Sequence, residues 1–182
     1  MNTYIVEAVD YLEQNYGLLG YDSQAEFSHN LPHPDLIIES TRGKKTSNVA
    51  TILEVIFYAL QFYEDTNSGS SVWDVFTTSH FVERVPSALK SHVYLKSETG
   101  SNGTADGLTT LGFGTHVEFA TLQPGAFINF TRTSRTSHAV VFMGYIDSDG
   151  QLLATYDSHK VAGFKYFSAQ GTSARKKGGM GM

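Results

Sequence analysis

The run Ser137-His138-Ala139-Val140-Val141-Phe142-Met143-Gly144-Tyr145-Ile146-Asp147 is strongly apolar after its second residue and rich in β-branched and aromatic side chains, which reads as a strand entering the core. A Ser/Thr/Arg-rich turn precedes it, and Asp147-Ser148-Asp149-Gly150 supplies a turn after it. Reading outward, AFINFTRT (126–133), QLLATYD (151–157) and GFKYFSAQ (163–170) have the same short β-rich character. HVEFATL (116–122) does too, and Gln123-Pro124-Gly125 separates it from the next run. That makes five candidate strands in the second half of the chain.

The first half is helical in pattern. Tyr4, Ile5, Ala8, Tyr11 and Leu12 recur at three-and-four spacing over 3–16, and Gly17 and Gly20 end the run. A second helix starts at Thr46 or Ser47, either of which can cap the first turn. Val49, Ile52, Leu53, Ile56, Leu60 and Tyr63, widened by Val55, Phe57 and Ala59, leave it little polar surface, so it is expected to lie inside the core against a sheet. One or two shorter helices are predicted over 71–95, and a surface loop at SETGSNGTADG (97–107). Helices first and antiparallel strands second give an α+β fold: a central buried helix on an antiparallel sheet of about five strands. A single domain is expected over 1–171, with a flexible, basic and Gly-rich tail at 172–182.

Composition narrows the function. The 182 residues hold 13 Lys and Arg against 18 Asp and Glu, a formal charge of −5, which disfavours nucleic acid as a partner because that binding needs a concentrated basic face. No stretch approaches the about 20 apolar residues of a membrane span, and MNTYIVEAVDYLEQ lacks a signal-peptide pattern, so synthesis in the cytoplasm is expected. There is no cysteine, which on its face removes disulfides, thiolate metal sites and thiol nucleophiles.

Three places carry possible chemistry. At the start of the second helix, TSNVATILEV, backbone N–H groups and the helix dipole converge, an environment that lowers a thiol pKa and can hold an oxyanion. His138 opens its strand at the edge of solvent with a rigid apolar backing, as a general base requires. If 151–157 folds back on the His138 strand as a hairpin, Asp157, or less strongly His159, comes beside His138 to fix its tautomer. Each has a plainer reading: Ala50 as a small helix residue, His138 as an edge histidine, Asp157 as a turn cap.

The order of these segments resembles the papain-like cell-wall hydrolases of the NlpC class, above all the amidase and endopeptidase effectors that bacteria deliver by type VI secretion. The resemblance rests on Lys45-Thr46-Ser47 before the helix, Leu122-Gln123-Pro124-Gly125-Ala126-Phe127-Ile128-Asn129-Phe130, and the His138 strand, and spans about residues 40 to 170. It implies a papain-like fold and a cysteine hydrolase of peptidoglycan peptides, with no cofactor and no metal. The implied nucleophile position is Ala50, with His138 as base, Asp157 as its orienting partner, and Ser47, Asn48 and His159 as oxyanion or orienting groups; Ser47 is the fallback nucleophile. Asp22 and Gln24 are implied to line the substrate groove. Ala126 stands where the family often has Asp. Ala50 in place of the thiol implies an inactive form, by Cys-to-Ala substitution or as a natural pseudoenzyme that binds cell-wall peptides or a partner. The resemblance further implies secretion into a target periplasm, a carrier in the secretion system and an immunity protein. Two other signals compete. His29, His33 and Asp35 could contribute to a zinc hydrolase, though Pro32 keeps the histidines off one helix face. Asn102 and Asn129 match the glycosylation sequon.

Overall fold

The computed structural model describes residues 1–17, 20–23, 25, 27–34, 38–40, 45–67, 72–73, 103–110, 112–131, 137–171 and 179–182. Helices α1 (Asn2–Tyr16), α2 (Asn48–Thr66) and α3 (Thr104–Thr110) precede strands β1 (Phe127–Thr131), β2 (Ser137–Ile146), β3 (Leu152–Leu153), β4 (Gly163–Gln170) and β5 (Gly179–Gly181). The chain is α+β, with a mostly antiparallel open sheet. Four strands run in the order β1-β2-β4-β5, and the two-residue β3 hangs from β2.

Helix α2 is the centre of the molecule, as its sequence requires. Every residue from Val49 to Leu60 is buried, and α2 packs on α1 and on β2 and β4. Its face against the sheet meets Ala139, Val141, Phe167 and Ala169, while Ile5, Ala8, Val9 and Leu12 of α1 complete the larger core. Ser47 caps the helix: its hydroxyl accepts from the Ala50 N–H (3.4 Å) and donates to the Ala25 carbonyl (3.2 Å).

Strand β2 has a second face. Phe142 and Tyr145 point away from α2 into a smaller cluster with Leu122, flanked by Ile128, Leu153 and Phe164. The two faces differ because the β2–β4 register shifts between Phe142 and Gly144, a bulge that puts Tyr145 on the same side as Phe142. Gly144 has φ 150°, open to a residue without Cβ.

Several strand and loop expectations are revised. HVEFATL does not join the sheet: Phe119–Thr121 is a 3-10 turn and 114–118 lies outside any ladder. QLLATYD pairs over two residues only, Tyr145 with Leu153 and Ile146 with Leu152. Residues 104–107 open helix α3 where a loop was expected, its Ala105 N–H held by Asn129 Oδ1 at 3.1 Å. The end of the tail forms β5 against Ser168–Gln170, because main-chain pairing needs no apolar side chain and Gly-Met-Gly supplies it. Of the helices predicted over 71–95, only Val72 and Trp73 are among the described residues and neither is helical; the rest lies outside them. Among the described residues no helix is long and apolar enough to cross a membrane.

Candidate functional site at the start of the central helix

The start of α2 meets the start of β2. Asn48, the first residue of the helix, has Oδ1 on the Val49 N–H (2.9 Å) and Nδ2 3.4 Å from His138 Nδ1. With Nδ2 the only donor of that pair, Nδ1 accepts and the neutral imidazole carries its proton on Nε2. His138 is 5% exposed, with the rings of Phe130 (5.6 Å between centroids) and Tyr166 (6.1 Å) beside it. Phe130 faces His138 directly across the β1–β2 pair. On the other edge Val141 pairs with Phe167, and carrying that register on by three residues brings Gln170 level with His138. Gln170 Nε2 donates to the Tyr166 hydroxyl at 3.1 Å.

Ala50 lies elsewhere. It is 0% exposed and part of the larger hydrophobic core, because two residues along a helix is a rotation of about 200° from the Asn48 side. A thiol at position 50 would therefore point into packed side chains, and it is position 48 that faces His138. Ser47 is 1% exposed and committed to capping, which leaves it no role as a nucleophile.

Asp157 is not brought to His138. The hairpin after β2 stops at Leu153, the chain crosses the end of β2, and it returns on the opposite edge as β4, where the Ala162 N–H bonds the Ile146 carbonyl. From His138 to Ile146 the strand covers roughly 25 Å at the usual rise per residue. Asp157 caps its own turn, accepting from the His159 N–H at 3.0 Å, with Lys160 at 3.5 Å. His159 is exposed in that turn. Tyr166 and Gln170 sit on GFKYFSAQ, expected as a strand, and it is this strand rather than QLLATYD that runs beside the His138 end of β2.

Asp22 is near the helix start: its N–H donates to the Thr46 carbonyl at 3.0 Å, and its carboxylate is 4.0 Å from Lys45. Gln24 and Asp35 lie outside the described residues. One turn and a half into α2, Glu54 is fully buried, with Oε1 accepting from the Ser28 N–H (2.7 Å) and the Thr46 hydroxyl (3.2 Å). Burial pushes its carboxyl up from 4.5 to about 7, against the downward pull of those two hydrogen bonds. Glu54 thus ties the strand-like residue before the helix cap to the 27–31 loop.

The two loop histidines are packed by rings. His29 stacks on Tyr16 (3.6 Å, 2° between planes), bonds Ser28 Oγ at 2.7 Å, and is lowered by burial from 6.5 to about 4. His33 packs on Trp73 at 4.7 Å. Among the described residues no group of three His, Cys, Asp or Glu is placed to hold a metal. Asn129 is engaged by the α3 backbone, and Asn102 lies outside the described residues. Comparison of the chain with protein-family models, with curated proteins and with solved structures finds no match in any of the three.

Proposed function

We propose that the chain is a papain-like scaffold of the NlpC kind whose α2–β2 site takes an amide of a peptidoglycan peptide, and that Asn48 occupies the position of the nucleophile. The observation that carries this reading is the 3.4 Å contact between Asn48 Nδ2 and His138 Nδ1 at a helix N-terminus. A thiol at position 48 would hand its proton to His138 Nδ1 and be held as thiolate by the helix dipole. It would attack the amide carbonyl to form a thioester. His138 would return the proton to the leaving amine, and the first-turn amides would stabilise the tetrahedral oxyanion. An Asn amide reverses the polarity of that contact, because it donates where a thiol is deprotonated. As written, the chain binds and does not cleave.

The test compares Asn48→Cys with Ala50→Cys on purified peptidoglycan, reading muropeptides by chromatography. Asn48→Cys is expected to release new muropeptides, Asn48→Cys with His138→Ala none, and Ala50→Cys none. Silence from Asn48→Cys in a folded protein would reject the hydrolase ancestry of the site; activity from Ala50→Cys alone would move the nucleophile back into the helix interior. Delivery into a target periplasm by a secretion-system carrier, and inhibition by an immunity protein, belong to the same reading and rest on the family resemblance.

A further inference from the structure

Residues 116–122 have the alternation of a strand, with Val117 and Phe119 alternating with His116 and Glu118, yet they pair with no strand among the described residues. Among the described residues, no backbone N–H or carbonyl from Gly114 to Val117 has a hydrogen-bond partner. The segment is exposed along its length. It also borders a group of exposed apolar side chains. Apart from the terminal methionines, the exposed large apolar side chains are Val117 (56%), Phe119 (42%), Leu152 (59%) and Tyr156 (37%). These gather at one corner: Phe119 lies 6.0 Å from Tyr156, and Tyr156 lies 5.3 Å from Tyr145, which pairs with β3 beside Leu152. Clustered apolar exposure next to an unpaired backbone edge is the surface on which another strand docks.

We propose that residues 114–118 are an open pairing edge through which two copies of this chain associate, antiparallel about Val117. The occupant follows from the charges. Centred on Val117, a two-fold pair sets His116 of each copy opposite Glu118 of the other, Val117 against Val117, and Thr115 against Phe119. A centre one residue earlier would put His116 against His116 and Glu118 against Gly114, losing both favourable pairs. His116 Nε2 lies 3.1 Å from Asp106, so its Nδ1 is the nitrogen presented to the second carboxylate. Thr115 and Val117 line a cavity of about 610 Å³ together with Ile5, Ile56, Leu60, Leu108 and Phe113, so the pairing edge borders it. This inference stands apart from the cell-wall reading, since the corner and the Asn48–His138 contact share no residue.

The experiment is sedimentation or light scattering of the purified chain from low micromolar to millimolar concentration. The expected result is a rise from 20.0 kDa toward twice that mass. Val117→Asp, which sets two carboxylates face to face at the axis, is expected to abolish the rise. Glu118→Lys should weaken association by about tenfold, and adding His116→Glu should restore it by reversing both pairs. Circular dichroism confirms that each exposed substitution leaves the monomer folded; should Val117→Asp disturb it, the Glu118→Lys and double variants decide alone. A monomer at every concentration overturns the proposal, as does a dimer indifferent to the charge changes.

Discussion

Glu54 and His29 are both buried ionisable groups, and burial shifts them in opposite directions. Glu54 rises from 4.5 to about 7, so the folded chain binds its proton more tightly than the unfolded chain. The stability tied to that proton is present in full below about 4.5 and is lost as pH rises to about 7. His29 falls from 6.5 to about 4, so the neutral ring's contribution is present above 6.5 and is lost as pH falls to about 4. Each is worth about 3 kcal/mol at full extent. Between pH 4.5 and 6.5 the two slopes oppose and nearly cancel. Glu54→Gln keeps an oxygen for the Ser28 N–H and removes the titration, so urea unfolding of that variant should show stability climbing by about 3 kcal/mol from pH 4 to 6.5, where the unsubstituted chain is nearly flat. A flat Glu54→Gln profile would refute this account. At this scale the sequence showed His138 clearly, because a histidine opening an apolar strand is visible in the pattern. Asn48 drew only a minor role, since a polar residue in a helix's first turn looks like part of a cap. Which of positions 48 to 50 faces the strand depends on how α2 is rotated, and an α2 apolar on nearly every side has no stripe from which to read that rotation.

Ser47 is the joint between loop and helix. Replacing it with Ala removes the bond from the Ala50 N–H and the bond to the Ala25 carbonyl. Ser47→Ala should cost about 1 to 2 kcal/mol, seen as a lower urea midpoint with an unchanged slope; a change under about half of that would mean the cap is redundant. At the scale of elements, α1 was legible from its three-and-four apolar spacing, and α2, β2 and β4 from the length and richness of their apolar runs. Pairing was less so. Sequence order suggested that QLLATYD returns beside His138, yet β3 ends after two residues and GFKYFSAQ takes that place. Where a hairpin breaks is set by the chain's route over the end of β2, and no local pattern in 151–162 announces it. The Gly-Met-Gly strand was illegible for a different reason: it is held by main-chain pairing to β4 and carries almost no side-chain signal.

At the scale of the whole molecule, the described residues form two apolar clusters separated by the sheet, one large and anchored on α2, one small and built around Leu122, Phe142 and Tyr145. Fewer buried contacts should make the smaller side the first to open. Native-state hydrogen exchange is therefore expected to show the amides of Leu122 and Ala126 opening at lower free energy than those of Leu53 to Ala59, and equal values would contradict the division. Val141 and Phe142 are each 0% exposed and adjacent in the chain, yet they belong to different clusters. Val141 shares its surroundings with Phe57, far away in sequence on α2, while Phe142 shares its own with Leu122 and Phe164. In a lineage of such chains the two neighbours would drift independently, and each would keep step with residues many positions distant, so the sheet divides the sequence into two interleaved histories.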